Sequence, residues 1–118
     1  MGFDLYGQAP RSVAGESFRS SVWGWRPLQV LISITCADIL TEVEERELGF
    51  NDGYAYSADK AEAIASRLGA IAADEKRLAD YKRKVMALMR EEYQDYWSKE
   101  NIEEFVQFLK NSGGFFLS

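Results

Sequence analysis

The sequence predicts an α-rich α+β fold of about four helices, with a small sheet formed by the N- and C-terminal segments. Three observations carry that reading. Apolar residues recur at helical spacing through most of the chain beyond residue 27. The two ends, Phe3-Asp4-Leu5-Tyr6 and Phe115-Phe116-Leu117, are short apolar pieces that suit extended backbone. No linker, repeat or low-complexity tract interrupts the 118 residues, a length that suits one domain, 1–118.

Residues 1–27 are rich in Gly, Ser and aromatics and show no sustained helical period, so Phe3-Asp4-Leu5-Tyr6 and Phe18-Arg19-Ser20 read as strands or extended loops. On a strand Asp4 shares a face with Gly2 and Tyr6, while Phe3 and Leu5 turn inward. Pro27 suits the first turn of a helix, where its missing N–H costs nothing. The spacing of Leu28, Leu31, Ile32, Cys36, Ile39 and Leu40 predicts a buried helix over residues 27–40. Residues 42–47 are charged and Gly49-Phe50-Asn51-Asp52-Gly53 supplies turn residues, so 42–53 reads as loop.

Ser57 is an N-cap with Asp59 in the first turn, and Ala61, Ile64, Ala65, Leu68 and Ile71 make the stripe of a helix ending near residue 73. Leu78, Tyr81, Val85, Leu88, Met89, Tyr93 and Tyr96 continue a helical stripe over residues 74–97. One helix over 57–97 would be about 60 Å long, so a break near residues 73–76 is expected. Ser98 caps a last helix with Ile102, Phe105, Val106 and Leu109 on its apolar face, and Asn111-Ser112-Gly113-Gly114 ends it. The strand Phe115-Phe116-Leu117 then pairs with the N-terminal strand, which satisfies both backbones.

Composition narrows the function. There is no histidine and Cys36 is the only cysteine. That removes His/Cys zinc sites, Ser-His-Asp and Cys-His nucleophiles and any intrachain disulfide. No cofactor or metal is expected, and Cys36 reads as a small buried hydrophobe. The net charge of −5 argues against a direct nucleic-acid surface, which needs many cationic contacts. The same charge suits a protein partner with a basic surface. The apolar clusters fall short of the roughly 20 residues of a membrane span, so a cytoplasmic protein is expected, and a homo-oligomer is compatible with the sequence.

The densest set of functional side chains is Phe18-Arg19-Ser20-Ser21-Val22-Trp23-Gly24-Trp25-Arg26-Pro27. Two guanidinium forks, two indole faces and a helix start at Pro27 could together hold a planar anion, with Arg19, Trp23, Trp25 and Arg26 as the ligand-binding residues. Asp4 would orient Arg19 or Arg26, most simply as a structural ion pair. The rival assignment makes Trp23 and Trp25 core or lid residues and pairs the arginines with acids. Asn51-Asp52-Gly53 lacks the alternating ligands of a calcium loop and is a turn.

Met1-Gly2-Phe3-Asp4-Leu5-Tyr6-Gly7, Phe18-Arg19 with Val22-Trp23-Gly24-Trp25-Arg26-Pro27-Leu28, Asn51-Asp52-Gly53 and Asn111-Ser112-Gly113-Gly114-Phe115 resemble a family of small uncharacterised phage and bacterial proteins. Most members carry a third Trp where Gly24 stands here, and many have a Cys-containing insertion in the second half that this chain lacks. The resemblance implies a phage or mobile-element setting and favours binding over catalysis. The expected function is thus a non-enzymatic binder that sequesters a small anionic or nucleotide ligand or counters host defence. The alternative is an acidic inhibitor that binds a host protein handling nucleic acid or acting in defence.

Overall fold

The computed structural model describes residues 2–118; Met1, the first residue of the N-terminal motif, lies outside them. Strands β1 (Gly2–Gly7) and β2 (Ser17–Ser21) form an antiparallel pair in which Asp4 faces Arg19 and Leu5 faces Phe18. Strand β3 (Ala55–Tyr56) and the C-terminal β4 (Phe115–Leu117) complete a four-stranded antiparallel sheet in the order β2-β1-β4-β3. The termini pair directly, with Leu5 opposite Leu117 and Gly7 opposite Phe115. Period-two alternation explains the packing: Phe3, Leu5, Phe18, Tyr56, Phe115 and Leu117 are buried, while Asp4, Tyr6 and Phe116 occupy the other face.

The helices are α1 (Val22–Thr35), α2 (Glu42–Glu47), α3 (Ala58–Ala72), α4 (Glu75–Ala87) and α5 (Lys99–Ser112). Four of them are long, and all four follow apolar stripes visible in the sequence. Helix α3 is capped by Ser57, whose side chain accepts from the Lys60 N–H, and α5 by Ser98, which accepts from Asn101. The break before α4 falls where length demanded it: Asp74 caps the new helix by accepting from the Lys76 and Arg77 N–H groups. Gly113 ends α5 at φ 67°, a left-handed conformation that glycine adopts without penalty.

Three boundaries differ from expectation, each for a physical reason. Helix α1 begins at Val22 rather than residue 27, because the Ser21 hydroxyl caps it by accepting from the Gly24 N–H at 3.1 Å. Pro27 is therefore the sixth helical residue, and its missing N–H leaves the Trp23 carbonyl without the usual i+4 donor. The helix stops at Thr35, where a turn closed by Leu40 N–H to Cys36 O takes over, so Ile39 and Leu40 pack from outside it. Residues 42–47 are helical rather than loop: Thr41 and Glu44 exchange both bonds of a capping box.

The stripe over residues 74–97 also breaks. After Ala87 the bonds shorten to i→i−3, from Leu88 N–H to Val85 O and Met89 N–H to Met86 O, and Arg90 turns extended. A 3₁₀ segment, Glu91–Tyr96, then runs back against α1. Leu88 falls out of phase with the core and is 69% exposed.

The core joins sheet and helices through aromatic contacts. Phe18 lies 5.0 Å from Phe105, and Tyr56 stacks on Phe115 at 4.7 Å between ring centroids. Because Phe115 and Leu117 are fully buried, deletion of residues 114–118 removes about 3–6 kcal/mol of apolar burial. The expected melting temperature drops by about 10 °C or more; an unchanged value in a thermal melt would show that the terminal pairing is dispensable.

Candidate functional site

Of the five residues singled out by the sequence, Trp23, Trp25 and Arg26 lie on α1 and the helical phase decides where they point, while Asp4 and Arg19 lie on β1 and β2. Each step along the helix turns 100°, so residues 23, 25 and 26 leave the axis in different directions. Trp25 points into the core, is 0% exposed, and donates its indole N–H to the Leu48 carbonyl at 2.8 Å. Its ring stacks on Phe3 at 5.7 Å and meets Phe105 edge-on at 5.6 Å. Trp25 therefore has no open face for a ligand, which corrects its assignment as a stacking residue. The expectation that Arg26 stands at a helix mouth also fails, since the helix has already begun at Val22.

Arg19 and Asp4 sit on neighbouring strands and form an ion pair of 2.9 Å on the outer face of the sheet. The Asp4 bond is the main cause of the raised Arg19 pKa. With the Arg19 side chain largely exposed, this pair adds little stability. Arg26, on α1, lies instead over β1, with its Cζ 5.0 Å from the centre of the Phe3 ring and Nη1 donating to Gln29 Oε1 at 2.6 Å. The structure thus gives Arg19 and Arg26 different partners, Asp4 for the one and the Phe3 ring, which Trp25 shares, for the other.

Trp23 is the residue of this set that forms a new constellation. It is 43% exposed yet stacked, 4.9 Å from Tyr93 and 5.7 Å from Tyr96. The two tyrosines arrive from the 3₁₀ segment, whose remaining side chains include Glu91, Glu92 and Asp95, all exposed. Beneath this cluster a cleft of about 10 Å³ is lined in part by Gly24, Pro27, Tyr96 and Trp97, room for roughly one water. The sequence reading placed Tyr93 and Tyr96 on a helical stripe and missed this role. Their i,i+3 spacing was visible, but the break after Ala87 that turns them onto Trp23 was not.

The other polar groups belong to the framework. The Tyr56 hydroxyl donates to the Glu44 carbonyl at 2.6 Å, and burial is the first cause of its raised pKa. Burial works against the Glu44 carboxylate, but Lys60 and the Thr41 backbone and hydroxyl outweigh it and hold its pKa low. The Arg67 fork grips both oxygens of Asp38 at 2.7 Å and holds that carboxyl down at about 2. Cys36 is buried, which raises its thiol pKa. Among the described residues no three His, Cys, Asp or Glu side chains converge to hold a metal.

Glu47 is the exception. Desolvation, then Asp52, raises its pKa, and its Oε2 is shielded from solvent without a hydrogen-bond partner. A carboxyl whose folded pKa lies above the unfolded value stabilises the fold below the unfolded pKa and loses that contribution as pH rises through the folded one. Glu47→Gln should therefore melt higher than the parent at neutral pH, with the gap closing in acid; a gap that is constant with pH would contradict the assignment.

Compared with protein-family models, curated proteins and solved structures, the chain matches none. Its functional reading rests on its own geometry.

Proposed function

We propose that this chain is a non-enzymatic binding protein that engages a partner protein of basic surface through an aromatic cluster of exposed Trp23 and Tyr96 and half-buried Tyr93. The observation that carries this reading is that Trp23 and Tyr96 stack on one another while each stays 43% exposed. Trp and Tyr dominate binding energy at protein interfaces, because they bring large rigid contact area at small entropic cost. Here the rings are already held against one another, so little ordering remains to be done on association.

Charge selects the partner. Glu91, Glu92 and Asp95 border the tyrosines, and the whole chain carries −5. An acidic rim around an aromatic centre steers a basic surface into place, and a Lys or Arg side chain can settle on a ring face. A protein that binds nucleic acid presents such a surface, which agrees with the role of an acidic inhibitor. The motif resemblance to small phage and bacterial proteins adds a mobile-element setting, with the host cytoplasm as the place of action, by association alone. Support for binding rather than catalysis comes from the groups with lowered carboxyl pKa values, Asp38 and Glu44, which are engaged in framework ion pairs.

The test compares the parent with Trp23→Ala and Tyr96→Ala in capture of basic proteins from a bacterial lysate over a salt series, with melting temperatures measured in parallel. Proteins retained by the parent should be lost from both variants, with affinity falling by about 2 kcal/mol or more, roughly 30-fold, while both stay folded. Capture should weaken with salt. Equal capture by the folded variants would remove the aromatic cluster from the interface. A nucleotide that raises the melting temperature of parent and variants alike would favour ligand sequestration instead.

A further inference from the structure

The two edges of the sheet are unlike. In the order β2-β1-β4-β3 one edge is β3, two residues long, and the other is β2, five residues long. Shortness, proline, lysine or a bulge ordinarily keeps an edge strand from pairing with another chain. Strand β3 has the first of these. Strand β2, Ser17-Phe18-Arg19-Ser20-Ser21, has none of them: its register with β1 runs unbroken from Tyr6 opposite Ser17 to Gly2 opposite Ser21. Its charged side chain, Arg19, is drawn across the outer face to Asp4 on β1.

The bonds of β1 fix which way the backbone of β2 points. The Gly7 N–H donates to Glu16 O, next in the same register, while the Asp4 carbonyl and the Gln8 N–H serve Ser118 and Gly114 on the β4 side. Hydrogen-bonded pairs alternate along an antiparallel ladder, so Phe18 and Ser20 bond toward β1 and the N–H and C=O groups of Ser17 and Arg19 face away from it. Among the described residues no backbone or side-chain hydrogen bond reaches those outward groups. Apolar side chains left in water flank the strand. Val13, in the 3₁₀ turn Val13–Gly15 before it, is 81% exposed, and Trp23, in the first turn of α1 after it, is 43% exposed.

From this arrangement we infer that β2 is a dimer edge, which pairs antiparallel with β2 of a second copy about a two-fold axis at Phe18 and joins the two sheets into one. Ser17 and Arg19 lie one position to either side of Phe18, so each Ser17 exchanges both backbone bonds with Arg19 of the other copy. Antiparallel pairing sets the start of one strand beside the end of the other. Val13 and Trp23 each stand five positions from Phe18, so the dyad brings the Val13 end of each copy to the Trp23 end of the other. Burial of these two exposed groups favours a second copy over an unrelated strand. Charge selects the same register: Arg19 meets a serine, whereas an axis at Arg19 would set two guanidinium groups opposite one another. The inference does not rest on the basic partner proposed above.

The experiment follows sedimentation and amide hydrogen exchange of the full chain from micromolar to millimolar concentration. A dimer is expected, at the top of the series if not throughout it. The Ser17 and Arg19 amides should be protected in step with the dimer, while those of Phe18 and Ser20 are protected at every concentration. Ser17→Lys sets a like charge against Arg19 of the other copy and should weaken the dimer about threefold or more; Ser17→Glu should tighten it by a similar factor. Arg19→Pro removes an outward N–H, leaves the β1 ladder intact and should abolish the dimer, whereas Arg19→Ala, which loses the Asp4 pair alone, should keep it. Arg19→Pro leaves Trp23, Tyr93 and Tyr96 in place, so capture of basic proteins should persist in it, and the two readings fail separately. A monomer at every concentration, a dimer with unprotected Ser17 and Arg19 amides, or equal effects of Ser17→Lys and Ser17→Glu would overturn the proposal. Protection gained only on adding a captured protein would assign the edge to a strand of that protein and overturn it too.

Discussion

The indole of Trp25 joins the parts of this protein that are far apart in sequence. One side chain stacks on the N-terminal strand through Phe3, meets the C-terminal helix through Phe105, and donates to the Leu48 carbonyl just beyond α2. The buried N–H to Leu48 bond is worth only about 1 kcal/mol net, yet leaving that donor or acceptor unmet in the core would cost about 1–3 kcal/mol. Removing the ring as well would open a cavity costing about 3–5 kcal/mol, a large share of the 5–15 kcal/mol by which domains of this kind are stable. With Trp25 fixed inward, the phase of α1 is fixed too. Trp23 and Arg26 must then face outward on the same helix, so the candidate surface follows from the core anchor.

This dependence explains why Pro27 is tolerated inside a helix. A proline there costs about 3 kcal/mol in a free helix. The Ser21 cap before it and the burial of Trp25, Leu28, Leu31 and Ile32 around it offset that cost. The same reasoning accounts for the end of α4, where no glycine or proline intervenes. Extending that helix through Tyr96 would keep its hydrogen bonds but carry Tyr93 and Tyr96 away from Trp23. The tertiary contact prevails over local propensity.

Long periodic segments were legible in the sequence because burial of one face dictates them: Ala61, Ile64, Ala65, Leu68 and Ile71 in α3, and Ile102, Phe105, Val106 and Leu109 in α5, are all buried as their spacing required. The terminal pairing was legible because Phe3-Asp4-Leu5-Tyr6 and Phe115-Phe116-Leu117 read as short apolar extended pieces; that each also takes a second partner, β2 and β3, completes the sheet. Helix α2 was overlooked although Thr41 and Glu44 stand at capping-box spacing; the charge of residues 42–47 masked the signal. At the site, Trp23 and Trp25 are indistinguishable by residue type and differ only by helical phase. A helix started at residue 27 leaves both outside it, and one started at residue 22 sends one inward and the other outward. The five-residue offset in that boundary is what sends Trp25 into the core and leaves Trp23 on the surface.

Hydrogen exchange of the indole N–H groups, assigned with single Trp→Phe variants, tests the anchoring role of Trp25 most directly. If Trp25 is the sealed core contact described, its indole N–H exchanges only when the whole domain unfolds, at the pace of the slowest core amides, while that of Trp23 exchanges orders of magnitude faster through local opening. An indole N–H of Trp25 that exchanges as fast as that of Trp23 would contradict the account, because the face carrying Trp23 and Arg26 would then no longer be set by the core.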